Sequence, residues 1–544
     1  MAKIIFHNGQ VVTMDEALPS AQAVLVEEGK IVKVGTNEEI LALKDEETLV
    51  RDLEGKTLLP GFIDPHSHFT AVAYALLMVN AKPSPSGRCD TKEALLEEFK
   101  KNYEENMDAW EKGEWLMAMG YDPSVFPDKQ HITRHDLDTI STEVPISCIH
   151  ASGHMSVLNT KALQILGYWG DFEVPEGGTV EMLPDGTPHG LVTELAYMDP
   201  AVQAKTVPPS FERVLGALGK AANLYASYGL TSAQDGRVTN GELQLLNYGG
   251  QLGFINIDVV GLADPGIAEE VLVKGQKVGP YTNHSRIGGY KLFLDGSPQG
   301  KTAWLSKPYY EVPDGYDADY CGFQIFPDEE VVRHCKICLE NDWQLNVHCN
   351  GDAACEQLIR CYTQAIEETG LKKDLRPVMV HCQTVRDDQL DRMAEIGMVA
   401  TFFLDHIHFW GDYHYTSVLG HDRGMHISPI REALKRGINY TMHQDSPGVN
   451  PNALFAVHNA VNRMTPAGRV LGEDQKLTAY EALKAVTING AYQIFEEDSK
   501  GSVTAGKVAD LVILDSNPLK VDGDKIKDIV VLETIKEGKT IYTA

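Results

Sequence analysis

Two histidines spaced i, i+2 in the run Gly61-Phe-Ile-Asp-Pro-His66-Ser-His68 can present both imidazoles to one ion, because alternate side chains of an extended chain point the same way. Such a pair also arises without any ligand role. Four more residues bear on it: Lys291, His348, His381 and Asp445 each end or follow a short apolar run. A lone histidine there is more often a satisfied core residue, and Asp445, ahead of Ser-Pro-Gly, could be an ordinary turn carboxylate. Their recurrence favours ligands, with Asp445 as ligand and proton carrier. His443, two residues before Asp445, should share its strand face and sit behind it. Lys291 is the odd member. A protonated ammonium has no lone pair for a metal and would pair with Asp295 or Asp352. A neutral amine can instead take up carbon dioxide as a carbamate whose two oxygens bridge two divalent ions.

Far-separated residues meet only if the chain brings strand ends together. Eight short apolar runs alternate with helical patterns: 57–64, 230–234, 256–261, 287–295, 344–348, 377–381, 398–402 and 438–444. Eight βα units predict an α/β fold, the (β/α)8 or TIM barrel, whose active sites lie at the C-terminal strand ends. Residues 1–56 read as short strands with Asn-Gly and Glu-Gly turns, as a small antiparallel sheet requires, and 501–544 have the same texture. One small β domain built from both chain ends is expected, with the barrel at 57–500. Residues 71–209 are too long for a βα loop and are read as an inserted cap or lid, beginning with an acidic helix over 91–112.

Residues 402–415 hold Phe402, Phe403, His406, His408, Phe409, Trp410, Tyr413, His414 and Tyr415. Following strand seven, this run should overhang the site. It is either core or an aromatic wall for an apolar portion of a substrate, with His406 or His408 orienting a carbonyl and Trp410 beside them. Trp304, after strand four, and His154, in the insertion, are further substrate-contact candidates.

The order His-x-His, Lys, His, His, Asp, opened by Pro60-Gly-Phe-Ile-Asp-Pro-His-Ser-His and closed by 501–515, resembles the amidohydrolase superfamily. More narrowly the chain is similar to its YtcJ-like (amidohydrolase 3) group, through 291–303, His348-Cys-Asn-Gly-Asp-Ala, Asp445-Ser-Pro and Leu477-Thr-Ala-Tyr-Glu-Ala-Leu. Gln444, where a small residue is commoner, and Cys349 depart from the pattern without removing a ligand. The resemblance implies a split β-sandwich beside the barrel and a binuclear centre. His66, His68 and Asp445 would hold one ion, His348 and His381 the other, and carboxylated Lys291 would bridge them. A single-metal form with unmodified Lys291 is the alternative. Imidazole-rich ligands suit zinc, with manganese, iron and nickel behind it. The implied activity is hydrolysis of a carbon–nitrogen bond in a small N-acyl or N-formyl compound by metal-activated hydroxide. Ester or cyclic-amide hydrolysis and deamination are alternatives within the superfamily. A regulatory role on the same fold is the non-enzyme alternative, since some similar sequences are labelled exoenzyme regulators. A homodimer is expected of the fold family.

Charge narrows the partners. The balance of 48 basic and 77 acidic residues, net −29, repels nucleic acid and anionic lipid, leaving a small-molecule substrate. No apolar run is long enough to span a membrane. The opening residues turn polar too soon for an export signal, and nine scattered cysteines suit reduced thiols, so a cytoplasmic location is expected. Cys335 and Cys338 read as one face of a core helix.

Overall fold

A computed structural model describes residues 3–544 apart from 85–86, 152–154, 176–177, 273–274, 276–278 and 314. Eight strands follow one another round a single sheet: β1 (Phe62–Asp64), β2 (Leu230–Val238), β3 (Asp258–Ala263), β4 (Ser285–Phe293), β5 (Leu345–Cys349), β6 (Val378–His381), β7 (Val399–Phe402) and β8 (Tyr440–Met442). Each runs parallel to its neighbours. β6 and β7 are buried along their whole length, which is why parallel strands covered on both faces read as unbroken apolar runs. The barrel is nearly closed. At the seam between β8 and β1, the segments just past the strands exchange two backbone bonds, Asp445 N to His66 O (3.3 Å) and His68 N to Ser446 O (3.0 Å).

The expected first strand is two strands. Thr57–Pro60 pairs with Leu511–Leu514 and Gln10–Val12, whereas β1 belongs to the barrel. Between them Gly61 passes so close to Thr231 that any Cβ would collide with its side chain. Glycine is therefore the residue that lets the chain cross from one sheet to the other.

The chain ends form two sheets. One orders Lys30–Gly35, Ala23–Glu27, Ile4–His7 and Leu49–Asp52; the other orders Lys539–Thr543, Val531–Lys536, Leu511–Leu514, Thr57–Pro60, Gln10–Val12 and Ser20–Ala21. Phe6, Val24, Leu58, Leu511 and Ile535 share one apolar cluster across them. The pairing is mixed rather than antiparallel: Ile4–His7 runs parallel to Leu49–Asp52, and Gln10–Val12 parallel to Thr57–Pro60. Hairpin turns predict antiparallel neighbours only for strands adjacent in the chain. Here a crossover containing the helix Asn37–Leu41 returns the chain in the same direction.

Residues Ala71–Ala221 form a second compact unit around a six-stranded sheet that includes Leu116–Tyr121, Ile146–His150, Met155–Leu158 and Pro188–Glu194. The expected helix over 91–112 breaks into Lys92–Glu105 and Met107–Glu111. At the break the Asn106 side-chain amide donates to Asn102 O (2.9 Å) and the Trp110 indole to Tyr103 O (2.9 Å). These bonds satisfy carbonyls that a continuing helix would have used. Cys335 and Cys338 lie on the buried face of the helix Asp328–Asn341. Among the described residues no helix is long and apolar enough to cross a membrane.

Candidate metal centre

His66 and His68 follow β1 directly. The His66 ring turns into the barrel, where Gly236 of β2 makes space for it: a Cβ at Gly236 would lie 2.5 Å from His66 Cε1. The seam bonds fix Asp445 opposite. Its Oδ1 lies 3.1 Å from His68 Nε2 and 3.6 Å from His66 Nε2, and one atom from each residue falls within 4.8 Å of the others. Two donors each ~2.0–2.2 Å from one tetrahedral ion stand roughly 3.3–3.6 Å apart. The three donors fit a divalent metal. Asp445 takes φ +53° and His381 φ +78°, a left-handed backbone that costs a non-glycine residue of order 1–3 kcal/mol and concentrates at functional sites. Burial alone would raise the Asp445 carboxyl, but the hydrogen bond from His68 and the nearby His381 and His66 rings hold it well below the usual carboxylate range.

Lys291, near the end of β4, is fully buried. Its Nζ stands 3.2 Å from His66 Nε2 and 4.9 Å from the centre of the Phe293 ring. Burial pulls its ammonium down to about 7, against the pull of Asp445. The salt bridge to Asp295 or Asp352 is not what the structure shows for this lysine. Asp295 is caged by the backbone N–H groups of Asn350 (3.0 Å), Gly351 (2.6 Å) and Trp304 (3.0 Å), and Asp352 pairs with Arg386 (3.0 Å).

His348 and His381 meet on the same floor. His348 Nδ1 lies 3.0 Å from His381 Nε2, and the His381 ring centre is 5.7 Å from that of His66. His348 Nε2 faces Gly296 O at 3.0 Å. The carbonyl accepts and so calls for a proton on Nε2, which would leave the Nδ1 lone pair facing His381, while the Asn350 side-chain Nδ2, 3.1 Å from the same nitrogen, donates and calls for the reverse. His381 Nδ1 stands 3.0 Å from His443 Nε2, and His443 Nδ1 2.9 Å from Thr401 Oγ1. Burial drives His348 down to about 4, His443 down to about 3, and His66 and His381 well below their ordinary value. The rings are therefore neutral at pH 7, the form a metal needs.

A family model for the Amidohydrolase family matches residues 49–542. The chain belongs to the amidohydrolase family. The N-substituted formamide deformylase of Arthrobacter pascens is 26% identical over 554 residues, covering 100% of this chain and 98% of that protein. YtcJ of Bacillus subtilis is 25% identical, with 99% of each chain covered. Among solved structures, an uncharacterized metal-dependent hydrolase from Pyrococcus horikoshii OT3 is similar in fold, with a TM-score of 0.76 at 23% identity over 96% of this chain and 99% of that one.

In this amidohydrolase the aromatic run after β7 is the helix Asp405–Tyr413. His406, Trp410 and His414 share one face at i, i+4 spacing. The His406 ring lies 4.2 Å from Phe403, 5.4 Å from Trp410, 5.7 Å from His414 and 6.4 Å from His381. His408, two residues on, points to another side of the helix and packs edge-on against Phe455 at 5.0 Å. Trp304 reaches the site through its backbone, by capping Asp295. His154 lies outside the described residues. Three contributors escaped the sequence reading: Gly236, which clears space for His66; Thr401, behind His443; and Asp235, whose Oδ2 accepts from Thr70 N (3.0 Å) next to His68. The one sequence signal for Thr401 is a hydroxyl inside the otherwise apolar Val399-Ala-Thr-Phe402.

Proposed function

We propose that this amidohydrolase cleaves the carbon–nitrogen bond of an N-formyl or N-acyl small molecule, with zinc as its ion and Asp445 as its proton carrier. The observation that carries this reading is the half-buried carboxylate of Asp445 within 3.1–3.6 Å of the His68 and His66 imidazoles. When bound, a divalent ion supplies Lewis acidity and brings the pKa of water down to near ~7. The His66–His68 pair and Asp445 would hold one ion, and His348 with His381 a second. Burial pulls the Lys291 ammonium down to about 7, toward the neutral amine that would add to carbon dioxide, with loss of one proton, to give a carbamate able to hold both ions. Asp445 Oδ1, a buried oxygen that lies nearest the two imidazoles, would be the ligand atom, leaving Oδ2 to take the proton of the attacking water and return it to the departing nitrogen. An amide nitrogen is too basic to leave without it. His406 and Trp410, on the face turned toward Phe403 and His381, line the substrate side.

The likeness to a formamide deformylase over the full chain supports the N-formyl class. The test is turnover of the zinc-loaded protein on formamides, N-acyl amino acids, lactams, esters and aminopurines. Formamide or N-acyl hydrolysis is expected, and activity confined to esters, lactams or deamination overturns this reading. Asp445→Asn should lower kcat about 10²–10⁴-fold on the active substrate. Metal analysis with and without bicarbonate tells two ions and a carbamate from one ion and a plain lysine.

A further inference from the structure

Behind the ligands runs an unbroken line of polar atoms. Thr401 Oγ1 to His443 Nδ1 is 2.9 Å, His443 Nε2 to His381 Nδ1 is 3.0 Å, His381 Nε2 to His348 Nδ1 is 3.0 Å, and His348 Nε2 to Gly296 O is 3.0 Å. Thr401 and His443 are fully buried and His381 nearly so, so each must find its hydrogen bonds inside the protein. The Phe403 ring stacks on His443 at 5.5 Å and 25°, holding that ring in the line.

At the end of the line His348 Nε2 faces both the Gly296 carbonyl (3.0 Å), which only accepts, and the Asn350 side-chain Nδ2 (3.1 Å), which only donates and also reaches Gly296 O (2.9 Å). With the His348 proton placed on Nε2, two arrangements remain for the rest. In the first, donation runs one way throughout: Thr401 O–H to His443 Nδ1, His443 Nε2–H to His381 Nδ1, His381 Nε2–H to His348 Nδ1. In the second, His348 Nδ1 and His381 Nε2 both offer lone pairs to an ion. The proton of His381 must then sit on Nδ1 and donate to His443 Nε2, and that of His443 must sit on Nδ1 and donate to Thr401 Oγ1. Each ring keeps one proton, the net charge is unchanged, and the same heavy atoms serve both.

We propose that Thr401 and His443 are positioning residues forming a two-state tautomer relay, reversed when the His348–His381 pair takes up a divalent ion. This rests on reading His348 and His381 as ligands. Position 401 needs a hydroxyl because that group alone both donates in the first state and accepts in the second. In either state every imidazole N–H of the line keeps an acceptor. In the loaded state the Nδ1–H···N bond from His381 to His443 orients the ligand ring and raises its basicity.

The test uses the full-length protein labelled with ¹⁵N in its imidazoles, stripped with chelator and titrated with zinc. Histidine 443 signals are assigned by their loss in His443→Asn. His443 should change from the Nε2–H to the Nδ1–H tautomer as zinc binds. If His348 and His381 show zinc attached while His443 keeps one tautomer, the relay is wrong although the ligand reading stands. If the nitrogen signals of His348 and His381 do not respond to zinc, the ligand reading fails and the relay with it. By chelator competition, Thr401→Val should bind zinc about 10–100-fold more weakly, and Thr401→Ser should recover most of that loss. Equal affinity for Thr401→Val and the unaltered protein also overturns the proposal.

Discussion

His66 owes its position to a missing side chain: at Gly236 a Cβ would lie 2.5 Å from His66 Cε1 and 2.7 Å from Ser67 O. The Gly236 N–H also donates to Ser67 O at 2.5 Å, so neither backbone can retreat without losing that bond. Gly236→Ala should therefore push the His66 ring aside while the barrel persists. A stability loss of roughly 1–3 kcal/mol is expected from the overpacking, read by thermal melting, together with loss of the ion that His66, His68 and Asp445 are proposed to hold, read by metal analysis. Undiminished metal content would show that the ring moves freely there. The residues proposed as ligands, Lys291 apart, were legible in the sequence because each stands where an apolar run stops. Gly236 and Thr401 were not, since their roles depend on which strand lies opposite, and nothing in Asp-Gly-Arg or Ala-Thr-Phe names that neighbour.

At the scale of elements, β8 delivers both His443 and Asp445 and is only three residues long, so it depends on its surroundings. The helix Ala479–Ala485 packs beside it, with the Tyr440 hydroxyl donating to Glu481 O at 3.1 Å. Glu481 closes a capping box with Thr478 (N–H to Oε2 2.7 Å) and grips Arg431 with both oxygens at 2.7 and 2.8 Å. Although burial opposes it, the Arg431 and Thr478 bonds hold its carboxyl down to about 2, from 4.5. A depressed folded-state value means the stabilisation is full above about 4.5 and fades as pH falls toward 2. Glu481→Gln should cost about 1–2 kcal/mol near neutrality, a gap that closes in urea titrations repeated from pH 5 down to pH 2; a gap independent of pH would mean packing, not charge, carries it. Runs covering the eight barrel strands were visible in the sequence, because local pattern decides them, although the first run joined two strands. The crossing at Gly61 and the parallel pairing of Ile4–His7 with Leu49–Asp52 were not, because they are settled by contacts between distant segments.

Across the whole of the larger unit, a second cluster mimics a metal site: Asp258, His284 and Glu537 bring ligand atoms within 4.8 Å of one another. Two ammoniums and an imidazole of the chain itself already surround Asp258. Lys500 Nζ lies 2.5 Å from its carboxylate, Lys536 Nζ 2.8 Å and His284 Nδ1 2.8 Å. Lys500 turns also to Glu496 (2.7 Å), Lys536 to Asp510 (3.0 Å), and Arg286 to Glu496 (3.2 Å). These buried charges tie β3 and β4 of the barrel to the last strands of the chain, so the two lysine partners of Asp258 lie more than 200 residues away and no motif announces them. Burial would lower both ammoniums, but the carboxylates around them hold Lys500 and Lys536 above the ordinary lysine range. Asp258→Asn keeps the shape and removes the charge that both lysines share. Breaking such a buried network by one partner typically costs about 3–5 kcal/mol, and that loss should appear in urea unfolding. Because two ammoniums fill the space an ion would need, the zinc content of Asp258→Asn should equal that of the unaltered protein. Loss of one equivalent of metal would instead make this cluster a binding site and the ion-pair account wrong.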